Sequence, residues 1–324
     1  MFFTLKIMKI VTFGGGTGHH QLAKALKRLS KEKNIEVNFV VGTWDNGGSS
    51  KYLRIGEKLL PPGDLGNVYS ALSNLEEEEL RIIWDGRINL AQESKHTPRN
   101  LIIANAIKEY KDDWEKINRT IKKLLDIEDS FFVYPITKRA SSLVASFEKN
   151  NKIYFIEGEE EIDFYILKEK REPLDLYLKE YQDVYPLKKI MESDLVLIAP
   201  GSFYTSIYPH FLFEEINKII KEKRKILIAN IFTQGDINYQ LEKLYNKIGS
   251  FEVLYNNKEI SKKEKEHYLK KEWKSFVEED KIKEFCKNYG LNCHGFDLLY
   301  KKDPGKHDEN KLYKALKELL NYSI

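Results

Sequence analysis

The stretch "KIVTFGGGTGHHQLAKALKRL", residues 9 to 29, constrains the fold more than any other. An apolar, strand-like run breaks at Gly14, Gly15, Gly16 and Gly18, and the chain resumes with Leu22, Ala25, Leu26 and Leu29 at helical spacing. "VNFVVG" then reads as a second buried strand. Strand, glycine turn, helix and strand make a βαβ unit, and its right-handed crossover belongs to a doubly wound α/β sheet.

The pattern returns downstream. "SDLVLIAPGS" predicts a short strand ending in Pro-Gly-Ser, "YPHFLFEEINKIIKEK" a helix with an apolar stripe, and "KILIANI" a further strand. Two such units predict a Rossmann-like, mostly parallel sheet with helices on both faces and a binding crevice at the carboxyl ends of its strands. Residues 1–324 read as one nucleotide-binding α/β domain. Within it, "SSLVASFEKNNKIYFIEGEEEIDFYILKEKREP" reads as a β-rich, charged excursion over about residues 140–185, and about 250–324 as a C-terminal helical and α/β extension.

Composition narrows the partners. With 53 basic against 50 acidic side chains the formal charge is only +3, which argues against a nucleic-acid coat. Cys286 and Cys293 are too few for a disulfide framework. No apolar run approaches the ~18 to 20 residues of a membrane span. The expectation is a cytoplasmic protein with a small-molecule ligand, no nucleic acid and no membrane span, for which a homodimer is one candidate assembly.

Glycines at a strand-to-helix turn let a ligand approach the backbone, and the free N–H groups of the helix start favour a phosphate. Gly14, Gly15, Gly16, Thr17 and Gly18 are therefore candidate phosphate contacts; a tight structural connection is the plainer alternative. The spacing is neither G-x-G-x-x-G nor a P-loop. In "TWDNGGSSKYLR", at the carboxyl end of the second strand, Gly47, Gly48, Ser49, Ser50 and Arg54 offer donors. Asp45 there suggests Mg²⁺ or a sugar hydroxyl, since a bare carboxylate repels phosphate. Asp64 in "PPGDLGNVYSALS" is either a helix cap or a second carboxylate for the same cation. His96, Arg99 and Asn100 precede or open a helix, and arginine's fork suits an oxyanion. Gly201, Ser202, Tyr204, Thr205 and Asn230 place mostly uncharged polar groups at later strand ends, which suits a sugar or base.

Taken together, "GGGTGHHQLAKALK", "DNGGSSKYLR", "PPGDLGNVYSALS", "HTPRNLIIANA", "APGSFYTSIYPHFL" and "NIFTQGD" resemble, in content and order, the superfamily that contains 2-phospho-L-lactate transferase and the gluconeogenesis factors. The "PGSFYTS" form resembles the gluconeogenesis-factor branch more closely. That resemblance implies a UDP-sugar-binding protein linked to carbon metabolism and to cell-envelope and cell-shape regulation. The transferase branch implies instead an enzyme using Mg²⁺ and paired aspartates to move a phospholactyl group from a guanylyl donor to a deazaflavin alcohol. Carried over, the phosphate turn is Gly14 to Gly18, the catalytic and metal-binding aspartates are Asp45 and Asp64, and the later contacts are Asn100, Ser202, Tyr204 and Thr205. The chain departs from the family pattern at Asn46, where a second adjacent aspartate is usual, at Lys51 and Arg99, where glycine is usual, and in the shortened "TQGD".

Overall fold

Apolar runs with both faces covered, such as Met8–Gly14 and Ile35–Val41, form parallel strands. The computed structural model describes residues 7–48, 50, 51, 53, 59–91, 94–180 and 182–321. In chain order, β1 (Met8–Gly14) leads through α1 (Gly16–Ser30) to β2 (Ile35–Val41). Helices α2 (Gly63–Leu72), α3 (Pro98–Tyr110) and α4 (Trp114–Leu124) precede β3 (Phe131–Pro135). An excursion follows, with β4 (Leu143–Lys149), β5 (Lys152–Glu157), α5 (Glu159–Glu169) and β6 (Asp175–Leu178). The chain returns through β7 (Leu195–Ile198), α6 (Glu214–Ile220) and β8 (Arg224–Ile228). The remainder comprises β9 (Phe232–Gln234), α7 (Ile237–Ile248), β10 (Glu252–Asn256), α8 (Lys262–Glu272), β11 (Lys274–Phe276), α9 (Glu279–Tyr289), β12 (Cys293–Phe296) and α10 (Glu309–Asn321).

Seven strands form one parallel sheet in the order β12-β10-β8-β7-β1-β2-β3. The Rossmann-like reading of the sequence holds. Because the chain runs outward from β1 to β2 and β3, then resumes on the other side of β1 at β7, the strand order reverses between β1 and β7. Loops leaving these neighbours must part there, opening a crevice.

Side-chain alternation divides the core in two. Ile10, Val37, Phe39 and Ile226 pack on one face with Leu22, Leu26 and Leu29 of α1. Val11, Phe13, Val40, Val196 and Ile198 pack on the other with Phe211, Ile216 and Leu244. Successive residues of β1 thus feed opposite cores, as the period of a strand requires.

Beyond residue 250 the chain does more than extend the domain, since β10 and β12 complete the main sheet. The short β9–β11 pair, joined at Phe232 and Phe276, sits apart from it. The excursion carries its own three-stranded antiparallel sheet, β5-β4-β6. Asn150 and Asn151, both at positive φ (52° and 57°), turn its hairpin, a conformation asparagine tolerates well. The excursion also holds a full helix, α5, which anchors on Ile162, Ile166 and the Phe147–Tyr165 ring pair at 4.5 Å.

Candidate functional site

At the strand-order reversal, the loop after β1 meets the loop after β7. A side chain on Gly18 would run into the Pro200 carbonyl oxygen, so this glycine permits the close approach of α1 to the second loop. Gly16 differs: its φ is +58° and nothing lies within 4 Å of where its Cβ would be. The turn therefore combines one packing glycine with one open, left-handed position.

Helix α1 has no acidic residue in its first turn and no side-chain cap of its own. Asp64, in the first turn of α2, supplies the missing charge. Its Oδ1 accepts from the Gly16 amide at 2.9 Å and from Asn67 Nδ2 at 3.3 Å. Burial, and then the neighbouring Asp45, push the Asp64 carboxyl up to about 6. Asp45 Oδ1 accepts from the Gly47 amide at 2.8 Å, and Ser50 Oγ accepts from the Gly63 amide at 3.2 Å. The loop after β2 and the start of α2 are thus stitched to the glycine turn.

The excursion docks on the same edge. Asn46 Oδ1 accepts from the Glu160 amide at 3.1 Å while its Nδ2 donates to Glu161 at 2.7 Å, so one side chain grips the first turn of α5 twice. This gives the departure at position 46 a physical reason, since a carboxylate there would lose the donor that meets Glu161. Glu159 is raised well above the usual carboxylate range by burial and then by Asp64, Asp45 and Asp163. One turn further along α5, Asp163 accepts from Ser202 Oγ at 3.3 Å and from Thr205 Oγ1 at 3.1 Å. Burial pushes Asp163 up to about 6.

Between these loops lies a hollow of about 380 Å³. Its floor is Thr17 and Gly18 with Gln21 of α1, and Gly201, Ser202 and Tyr204 form the adjoining wall. Asp163, Phe164 and Leu167 of α5 also line the hollow. Tyr268, Lys274 and Lys306, from the C-terminal part of the chain, line it too, and Lys274 lies near enough to Asp163 to favour its ionised form. Phe232 and Tyr268, both in the lining, pack at a tilt of 31° with ring centroids 4.2 Å apart. Lys274 pairs with Glu272 at 2.6 Å and Lys306 with Asp303 at 2.9 Å, so both cations are held at the rim by local partners.

The sequence-derived candidates fall into three groups. Thr17, Gly18, Gly201, Ser202, Tyr204 and Asn230 line the hollow together. Asn230 does so while clamping the Gly201 backbone, accepting from its N–H at 2.9 Å and donating to its carbonyl at 2.6 Å. Gly15, Gly16, Asp45, Gly47, Ser50 and Asp64 gather at the adjoining acidic end, through the contacts above and the packing of Gly15 against Asp64. Gly14 packs on Ala199 and His19, and Thr205 is fully buried beneath Asp163, its carbonyl receiving the Trp44 indole N–H at 2.6 Å.

The others stand apart. Gly48 adopts a positive φ of 44° and opens to free space. Asn100 is buried at the start of α3 with no hydrogen-bond partner on its Oδ1 among the described residues. Ser49, Arg54 and the side chain of His96 lie outside the described residues. Arg99 does not reach toward the turn as an anion ligand. It pairs with Asp85 at 2.6 Å and donates to Ser70 at 3.3 Å, packed over Gly66. Its charge still helps hold the Asp64 carboxylate ionised.

Sequence reading missed Gln21, Asp163, Phe164, Lys274 and Lys306. Gln21 alone carried a local signal, four residues after Thr17 on the same helix face.

Comparisons with known proteins identify the family and the fold. The 2-phospho-L-lactate transferase CofD family matches residues 10–298. The gluconeogenesis factor of Bacillus subtilis is 32% identical over 329 residues, covering 96% of this chain and 98% of that protein. The gluconeogenesis factor of Listeria innocua is 33% identical over 237 residues, covering 70% of this chain and 67% of its own. Among solved structures, a UPF0052 family member from Bacillus halodurans superposes with a TM-score of 0.83 at 26% identity, over 97% of this chain and 99% of that one.

Proposed function

Because the chain belongs to the 2-phospho-L-lactate transferase CofD family, with gluconeogenesis factors as relatives over nearly its full length, we propose that it binds a nucleotide-sugar in the hollow between β1 and β7. The observation that carries this reading is the make-up of the hollow. A helix start and two rim lysines favour a diphosphate, and the walls between them are hydroxyls, amides and aromatic rings suited to a sugar and a base. A volume of about 380 Å³ is within the range of small-ligand sites. The diphosphate lies over Thr17 and Gly18, within reach of Lys274 and Lys306. In this role the protein reports nucleotide-sugar supply to carbon metabolism and to cell-envelope construction. Thermal-shift titration with UDP-N-acetylglucosamine, GDP and NAD tests it. Stabilisation by the uridine ligand alone is the expected result, and none up to millimolar concentration would remove the reading.

One observation favours a second reading. Burial and then the charge of Asp45 raise Asp64, and a divalent cation would relieve the repulsion between the two carboxylates. Among the described residues no group of three or more acidic, histidine or cysteine side chains converges as a ready-made metal site. The pair therefore fits Mg²⁺ shared with ligand phosphates, not a protein-only cage. Asp45 and Asp64 would hold it, and the ion would neutralise phosphate charge. Mg²⁺-dependent GDP binding, with GMP released when a deazaflavin alcohol is supplied, identifies this phospholactyl transferase chemistry.

A further inference from the structure

Helix α5 of the excursion turns Asp163, Phe164 and Leu167 into the hollow. Phe164 is 65% exposed and Leu167 36% exposed, so the carboxylate stands beside apolar surface that no described residue covers. Ser202 and Thr205 both donate to it, which fixes its orientation. An ionised carboxylate has about four lone-pair sites, and two hydroxyl donors leave room for more.

The neighbours restrict what can fill that room. A phosphate would be repelled by the carboxylate. A cationic group would meet Lys274 and Lys306 at the rim of the same hollow. A neutral hydroxyl donor carrying an apolar C–H face satisfies both constraints, with its polar edge on Asp163 and its ring against Phe164. Position along the ligand argues the same way. Asp163 is bonded to Ser202, two residues from the Pro200 carbonyl that lies against Gly18, which sets it beside the glycine turn. The part of a ligand nearest the phosphates is a sugar, and the planar base is more distant.

We propose that Asp163, flanked by Phe164, is the subsite that recognises the hydroxyls of a sugar ring bonded to the ligand's phosphates. This rests on the nucleotide-sugar reading. The ring is either the ribose or the appended hexose, and ligand pairs tell them apart.

Calorimetric titration of the wild type and Asp163→Asn with inorganic pyrophosphate, UDP, 2′-deoxy-UDP, UDP-N-acetylglucosamine and GDP tests the assignment. In the wild type, UDP over 2′-deoxy-UDP or UDP-N-acetylglucosamine over UDP is expected to be preferred by about tenfold or more, the usual reach of a hydrogen bond to a charged group. In Asp163→Asn that preference is expected to collapse to about twofold or less, since a neutral amide makes the weaker bond. Loss of the first preference assigns the ribose, loss of the second the hexose. Pyrophosphate carries no sugar, so its unchanged or tighter binding shows that the variant is folded with its phosphate contacts intact. Both preferences surviving in the variant, or a loss confined to GDP, overturns the role of Asp163 and leaves the nucleotide-sugar reading standing. A wild type that binds no uridine ligand better than pyrophosphate overturns both.

Discussion

The Asp64 carboxylate accepts the Gly16 amide at 2.9 Å, so a side chain from α2 occupies the N-terminal end of α1, where a ligand anion is also favoured. Burial, and then the neighbouring charge of Asp45, raise the Asp64 carboxyl to about 6. A carboxyl raised in the folded state holds its proton longer than in the unfolded chain, so its ionisation weakens the fold. That loss begins as pH climbs past the unfolded value near 4 and is complete above about 6. Asp64→Asn is expected to flatten this pH dependence by on the order of 1–2 kcal/mol. Paired urea melts of wild type and variant at pH 4 and pH 7 measure the difference, and parallel curves would contradict it.

Gly16 and Gly18 should respond differently to alanine. At Gly18 the new methyl meets the Pro200 backbone, which cannot yield without opening the β1–β7 crevice, and a loss of about 3 kcal/mol is expected. At Gly16 space is open and only the left-handed backbone is strained, for about 1 kcal/mol. Chemical denaturation of the two variants ranks them, and a reversed order would refute the packing argument.

Asn46→Ala removes both bonds that hold the first turn of α5. A stability loss of about 1 kcal/mol is expected. Hydrogen exchange should show faster amides in α5 with those of β1 unchanged.

Lys306→Ala and Lys274→Ala should each weaken a diphosphate ligand by roughly three- to tenfold at low salt, with the difference shrinking as ionic strength rises. Binding isotherms at about 0.02 and 0.3 M salt check the trend. An effect independent of salt would mean that the lysines shape the wall and do not attract the ligand.

How far the sequence revealed this molecule depends on how local each signal was. The β1–α1–β2 unit was legible because strand, turn and helix follow one another with their own patterning. Helix α5 was read into a β-rich segment because Ile162, Phe164, Tyr165 and Ile166 are β-branched or aromatic. The better signal was Gly158 followed by Glu159, Glu160 and Glu161, an acidic first turn, with Ile162 and Ile166 at helical spacing. The partner of Arg99 was invisible, because Asp85 reaches it only once α2 and α3 are packed. Lys274 and Lys306 were hidden for the same reason. They come from a lysine-rich region in which no local pattern separates a rim cation from a solvated one.

Gly18 and Lys306 line the same hollow although they lie far apart in the sequence. During synthesis the glycine turn emerges early, and Lys306 leaves the ribosome long after it. The hollow is therefore assembled only after both segments have been made and have found each other.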